Sequence, residues 1–309
     1  MIARRTITLN DRTFGATLDN TGIGMQNGHY DLTIILRIRL VENGDMTINP
    51  GSCEYYADHS PSHEELLLER VVGMHPDYDG RIFRLENWDL REWRGFCDFF
   101  SNESTAFWTN RFTLTSSHAV TVGDQERTDS YWASGFDRRH RQAPLTTIHC
   151  KFLLELTTNP AYAHKTISVY KISQLETTSI FRSDDAHYTS GDLESQYRTI
   201  VDPDPALCGE FSSQRTFIHE VGHAIGLPHV GISARIPGCT QNDNGTKICY
   251  GNTLETSLNV MGRGEELSWR EALPWRTAIA AMTNTSADSW QVQNTPHIQQ
   301  VEVGDIVIH

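Results

Sequence analysis

Runs of apolar side chains predict several β-strands in the first half of the chain. Residues 31–41 (DLTIILRIRLV) are rich in β-branched and apolar side chains, a composition typical of a strand. The Asn43-Gly44 pair that follows favours a tight turn into residues 46–48, so a hairpin is predicted there. Further strands are predicted at 107–114, 146–156 and 166–172.

Other segments have the signals of helices. Aromatic and apolar side chains recur at helical spacing across residues 88–100, which predicts a helix with a buried aromatic face. The sequence SHEE at 62–65 forms a capping box, and it predicts a helix that runs through Val72 and ends at Gly73. Ser268 and Pro274 mark two later helix starts.

Residues 173–210 are polar and rich in turn-forming side chains, which predicts a long loop that borders a cleft. Asp202 and Asp204 lie in this segment. Two alternating acids without a full loop pattern are more typical of solvated turn residues than of a calcium site. From Ser286 the chain is again polar, and it becomes strand-like at residues 301–309.

Composition and charge narrow the choice of partners. The 309 residues have a net charge of −13, which argues against nucleic acid or an anionic membrane as the main partner and weakly favours basic substrates. No apolar run is long enough to span a membrane. The first residues, MIARRTITLNDRTFG, are basic but lack the apolar core of a secretory signal. We therefore expect a cytoplasmic protein or one exported by a non-classical secretion machine, and the sequence sets no oligomeric state.

The most informative residues lie in the run TFIHEVGHAIGLPHV. His219 and His223 are four residues apart, so on a helix both imidazoles face the same side. Glu220 is one step round from His219 and is placed to act as a base rather than as a ligand. Ser212 or Ser213 is expected to cap the start of this helix.

The residues after His223 predict how a third ligand reaches the same metal ion. Gly226 can take the left-handed conformation that ends a helix, and Pro228 discourages its continuation. His229 then follows on an extended segment as the third ligand. Three neutral imidazoles hold Zn²⁺ and leave its fourth position open to water, which is the arrangement of a catalytic site.

This H-E-x-x-H-x-x-G-x-x-H run resembles the zinc signature of the metzincin clan of metallopeptidases. The clan also has a turn with a methionine beneath the zinc ligands, and Met261 in SLNVMGRG matches it. The resemblance implies an α+β fold: a mixed twisted sheet with an active-site helix, above a smaller, mostly irregular or helical lower subdomain. It implies a catalytic domain at 61–285, preceded by a β-rich segment at 1–60 and followed by a tail at 286–309.

Two features of the pattern leave alternatives open. Some metzincins place a tyrosine two residues after the methionine, where this chain has Arg263. Either Arg263 or another group therefore stabilises the transition state. Cys239 and Cys249 flank the turn-forming Asn244-Gly245 and are the best disulfide pair among six cysteines, the alternative being two free thiols. Nothing in the sequence supports Cys53 or Cys208 as a thiol that caps the zinc.

The sequence therefore predicts a zinc-dependent endopeptidase that acts on peptides or proteins, with Glu220 as general base. Two other hypotheses remain. One is a zinc-binding effector or structural module of a secreted particle with little or no turnover. The other is an enzyme of a different reaction, such as an amidase.

Overall fold

The structure is a computed structural model. It describes residues 6–10, 12–19, 29–43, 70–117, 146–173, 181–200, 203, 209, 211–240 and 247–293. Several predicted features lie outside these residues: the hairpin partner at 46–48, most of the helix that starts at 62, Cys53, Asp202, Asp204, Cys208 and the strand at 301–309.

A mixed eight-stranded sheet dominates the described part of the chain. The central strand β3 (His29–Glu42) pairs in parallel with β7 (Thr146–Leu156) along its first part and with β8 (Lys165–Tyr170) along its end. The other strands of this sheet are β1 (Thr6–Asn10), β2 (Gly15–Asp19), β6 (Thr113–Ser116), β9 (His187–Thr189) and β12 (Gln291–Val292). The strand order is β1-β2-β3-β7-β6-β12, with β8 beside β3 and β9 beside β8.

Helices and two small strand pairs complete the described fold. The α-helices are α1 (Leu90–Trp108), α2 (Thr216–Ala224), α3 (Val230–Ser233), α4 (Leu254–Leu258) and α5 (Leu273–Thr283). Strands β4 (Val71–Pro76) and β5 (Ile82–Glu86) form one antiparallel pair, and β10 (Ser195–Thr199) and β11 (Phe211–Arg215) form another. The 3-10 helices are Ser190–Leu193, Lys247–Tyr250, Trp269–Ala272 and Ala287–Ser289. The predicted α+β fold with a mixed sheet is confirmed.

One apolar core joins the sheet to the helices. Side chains of β3 alternate, so that Leu32, Ile34, Leu36 and Ile38 are fully buried. Helices α1, α2 and α5 contribute to the same buried cluster, and Trp275 of α5 also donates its indole N–H to the Lys151 carbonyl of β7 at 2.7 Å. The helix of the histidine motif is thereby packed into the main core of the protein.

Several predicted elements differ from the structure. The segment 107–114 is not one strand, because Phe107 and Trp108 end α1 and the strand begins only at Thr113. The buried aromatic face of α1 continues to these residues. A short aromatic run is compatible with the spacing of a helix as well as with that of a strand. Residues 71–73 are the start of β4 rather than the end of a helix, because they pair with β5.

The polar segment 173–210 is not only loop. It contributes β9 to the main sheet and β10 to the strand pair that precedes α2. Strands from both proposed flanking segments join the main sheet: β1, β2 and β3 from residues 1–60, and β12, which pairs with β6, from the 286–309 tail. The boundaries at 60 and 285 stay predictions. None of the described helices has the length and apolar character needed to cross a membrane.

Phe100 offers a direct test of how α1 supports α2. It is fully buried, with its ring 5.8 Å from that of Phe217, whereas its neighbour Phe99 is 43% exposed. Because truncation leaves a cavity, we expect Phe100→Ala to lower the free energy of unfolding by about 3–5 kcal/mol. Phe99→Ala should lower it by less than about 1.5 kcal/mol. Urea unfolding of both variants measures this, and equal losses would contradict the assigned packing.

Candidate metal centre

Helix α2 brings His219, Glu220 and His223 to the floor of a cleft. The helix begins directly after β11, with Arg215 as its N-cap and no capping side chain. The expected cap from Ser212 or Ser213 is wrong, because both residues belong to β11, where their backbone pairs with β10. The start of the helix is therefore fixed by the strand pair and by the burial of Phe217 and Ile218.

The end of α2 turns the chain back towards the histidines. Gly226 has a φ of +92°, a left-handed conformation in which glycine is not strained. The Gly226 N–H donates to the His223 carbonyl and the Leu227 N–H donates to the Gly222 carbonyl, both at 2.9 Å. This pair of bonds is the Schellman arrangement of helix ends. It places the extended segment before α3 so that His229 returns to the cluster.

The three histidines converge on one point. One ring nitrogen from each of His219, His223 and His229 lies within 4.8 Å of the others. The Nδ1 of His219 lies 2.7 Å from the Val260 carbonyl, and the Nδ1 of His223 lies 2.7 Å from the Leu227 carbonyl. Because a carbonyl only accepts, both Nδ1 atoms carry the proton, and the lone pairs are on Nε2. These two Nε2 atoms face each other at 3.1 Å, a geometry that fits a shared metal ion.

Burial sets the charge state of these groups. It lowers the pKa of His219 and of His223, and it lowers the pKa of His229 to about 3. The imidazoles are therefore neutral near pH 7, which is the form that binds a metal. Burial, and then the nearby Asp192 carboxylate, raise the pKa of Glu220 well above its usual range. The donor set and its charge fit a divalent metal ion with an adjacent base.

Met261 packs against helix α2 at Gly222 and is 1% exposed. Its sulfur contacts α2 so closely that a Cβ at Gly222 would overlap it. The Met261 N–H donates to the Asn259 side chain at 2.8 Å, and the Met261 carbonyl accepts from the Val230 N–H at 2.9 Å. The turn therefore contacts α2 through its side chain and the segment next to His229 through its backbone.

Gln214 and Arg215, which the sequence did not single out, hold this turn against β11. The buried Gln214 amide lies within 3.2 Å of the carbonyls of Val260, Gly262 and Gly264. Arg215 forms a two-pronged ion pair with Glu265, with both distances at 2.9 Å. These partners are about fifty residues apart in sequence, so no local pattern could have found them.

Tyr250 is a further residue of the site that the sequence did not indicate. Its ring lies 4.2 Å from that of His229 and 5.9 Å from that of His219. Cys239 and Cys249 form a disulfide in the structure, directly before this tyrosine. Gly231 of α3 lies against the backbone of Cys249, where a Cβ would come within 2.7 Å of the Cα. The disulfide and this close contact together fix the position of Tyr250.

Arg263, one candidate for stabilising the transition state, is held by two neighbouring segments. Its Nη2 donates to the Lys247 carbonyl at 2.8 Å, and its own carbonyl accepts from the Ser212 hydroxyl at 2.6 Å. Two cavities of about 480 and 720 Å³ meet beside Glu220 and Tyr250, which line both. Arg263 lines only the larger of the two.

The fold and this site define a class of protein: an α+β chain in which three convergent imidazoles could hold one metal ion next to a buried carboxylate. Residues 204–246, which contain the three histidines and Glu220, match the family model of Peptidase M66. The match covers a short segment and indicates a peptidase, and the histidine cluster is consistent with a metal-dependent one. Comparison with curated proteins and with solved structures gives no match.

Metal analysis tests the cluster directly. We expect the purified protein, dialysed after exposure to a divalent metal, to retain about one ion per chain. His229→Ala removes one of three ligands and should lose most of that metal. His164→Ala is the matched control, because His164 accepts a hydrogen bond from the Arg37 backbone and is not part of the cluster. A folded wild-type chain that retains no metal would refute the site.

Proposed function

We propose that the protein is a zinc metallopeptidase of the metzincin type that cleaves peptide bonds within a chain. The observation that carries this proposal is the convergence of His219, His223 and His229 beside Glu220, at the point where two cavities meet. The position of Met261 against Gly222, between His219 and His223 in the sequence of α2, supports the metzincin assignment. A cleft open on both sides of Glu220 suits a substrate that continues in both directions.

Three imidazoles and no carboxylate form a donor set that suits zinc with one position left open. When bound, zinc supplies a Lewis acid that polarises the scissile carbonyl and makes a water molecule acidic near neutral pH. The backbone carbonyls of Val260 and Leu227 orient two of the three rings for this role.

Glu220 is the proposed general base. Its carboxylate lines both cavities, next to His219 and His223, so it can accept a proton from the attacking water and later deliver it to the leaving amine. Burial raises the pKa of this group, which makes the carboxylate a better proton acceptor. A metal site with a purely structural role has no use for such a base, which disfavours the non-catalytic alternative.

Tyr250 is the proposed donor to the oxyanion, in place of Arg263. Its side chain lies beside the Arg182 guanidinium, and both residues line the two cavities. A guanidinium can only donate, so Arg182 does not accept from the tyrosine O–H, which remains available to the cleft. Because the ring also packs against His229, the hydroxyl is held next to the histidine cluster without further ordering.

Glu220→Gln tests the base. The amide has nearly the same shape but cannot accept the proton, so kcat for a cleaved peptide should fall by about 10²–10⁴-fold while metal content and unfolding free energy are retained. Glu194→Gln, at an exposed position, is the control and should behave as wild type. Steady-state kinetics on a quenched fluorescent peptide measures the effect, and an unchanged kcat would exclude Glu220 from the mechanism.

Tyr250→Phe tests the oxyanion donor. Loss of one donor to the developing negative charge should lower kcat by about 10²–10³-fold with a small change in KM. Tyr197→Phe is the control, because Tyr197 is 81% exposed and lines neither cavity. A greater loss of kcat in Arg263→Gln than in Tyr250→Phe would reassign the role to Arg263.

A further inference from the structure

The larger cavity has a charge opposite to that of the whole protein. Although the chain has a net charge of −13, the described lining of this cavity includes Arg81, Arg182, Arg198, Lys247 and Arg263. Apart from Glu220, Asp192 is the one acidic side chain in that described lining. Low-dielectric walls lined by one sign of charge concentrate the field inside a cleft. The cavity is therefore a local site of positive potential next to the proposed catalytic groups.

Two of these arginines are neutralised by neighbours. Arg81 forms an ion pair with Asp77 at 2.6 Å, and Arg182 pairs with Asp79 at 3.1 Å. Asp192 is engaged elsewhere, because one of its oxygens accepts from the Ser183 hydroxyl and from the Thr189 N–H at 2.5 and 2.6 Å. The charges of Arg81 and Arg182 are thus satisfied within the fold.

Arg198 and Arg263 differ from the other two. Within the described residues neither has a carboxylate at ion-pair distance. Arg198 donates to the Thr216 hydroxyl at 3.2 Å, and Arg263 donates to the Lys247 carbonyl. The Nη1 of Arg263 is buried and has no partner among the described atoms. Both side chains are half-buried, and a guanidinium partly removed from water with no carboxylate in contact is costly, so both favour an anion between them and the cleft.

We propose that this cavity, the arginine pocket, binds a carboxylate of the substrate beside the scissile bond through Arg198 and Arg263. The proposal rests on the proposed peptidase function and names its substrate class: peptides with an acidic residue at one position next to the cut. Guanidinium groups suit this role because their planar donors match a carboxylate in two-pronged geometry. The negative charge of the whole chain weakly favours basic substrates, whereas the pocket beside the base favours the opposite charge.

The lining of the smaller cavity indicates on which side of the scissile bond this preference for an acidic residue acts. Its described lining includes Asp184 and Asp185 and lacks Arg198 and Arg263. Arg182 also lines this cavity but pairs with Asp79, and Asp184 and Asp185 pair with His187 and Lys165. The described lining on this side therefore offers no guanidinium like those of Arg198 and Arg263, and an acidic side chain is favoured on the other side of Glu220. Discrimination between acidic and neutral residues should appear at positions on one side of the cut only.

The test uses the full-length metal-loaded protein and pairs of peptides that differ by Glu against Gln at one position. We expect one position at which Glu raises kcat/KM about tenfold or more over Gln. Arg263→Gln and Arg198→Gln should each remove most of that preference, Arg263→Lys should retain part of it, and Arg94→Gln at an exposed position is the control. Each peptide is made with a free and an amidated C-terminus. If the preference is seen only with the free C-terminus, the pocket binds the terminal carboxylate of the peptide instead of a side chain.

Binding to the Glu220→Gln variant separates this proposal from the proposed function. Fluorescence anisotropy of labelled Glu and Gln peptides reports the pocket even where no peptide is cleaved. Tighter binding of the Glu peptide that is lost in Arg263→Gln supports the pocket, and a wild-type chain without turnover would then refute only the peptidase. Turnover or binding that does not distinguish Glu from Gln at any position would overturn the arginine pocket and leave the peptidase standing.

Discussion

Two adjacent backbone carbonyls, those of Val260 and Met261, hold the candidate metal centre together. The first accepts from the His219 ring, and the second accepts from the N–H of Val230, the residue after His229. One turn that comes later in the chain thus orients the His219 ring and holds the backbone next to His229. A ring orientation fixed by a backbone group is not subject to rotamer freedom, which is why a preorganised metal site needs such partners. A shift of this turn therefore disturbs the His219 ring and the backbone next to His229 at once.

The surroundings of the turn show how it is kept in place. The Gln214 amide, on the strand before α2, lies within 3.2 Å of three of its carbonyls, and Met261 fills the space that glycine at position 222 leaves on the helix. The turn, the strand and the helix therefore form one packed unit. Buried polar groups of this kind are costly when unpaired and rigid when satisfied, so the network favours a single arrangement of the site.

Sequence reasoning succeeded where the physics is local. The composition and spacing of apolar residues predicted β3, β7 and the start of α1, and the spacing of the histidines predicted a helix with two rings on one face. It failed where distant segments decide the outcome. Pairing with β5 made residues 71–73 a strand, and the positions of Gln214 and Tyr250 depend on segments far away in the chain. The sequence shows an arginine at position 263, but it does not show that this side chain lines the larger cavity.

The pairing of β3 also has a consequence for how the chain folds. This central strand has β7 as its parallel neighbour, and the ion pair between Asp31 and Lys151 joins residues 120 positions apart. Closing so long a loop loses chain entropy before any contact repays it, and sheets with such non-local pairing assemble slowly. The histidines lie in one short segment, yet they gain their buried setting only once the core around β3 exists. A correctly shaped metal centre therefore forms only after the sheet has assembled.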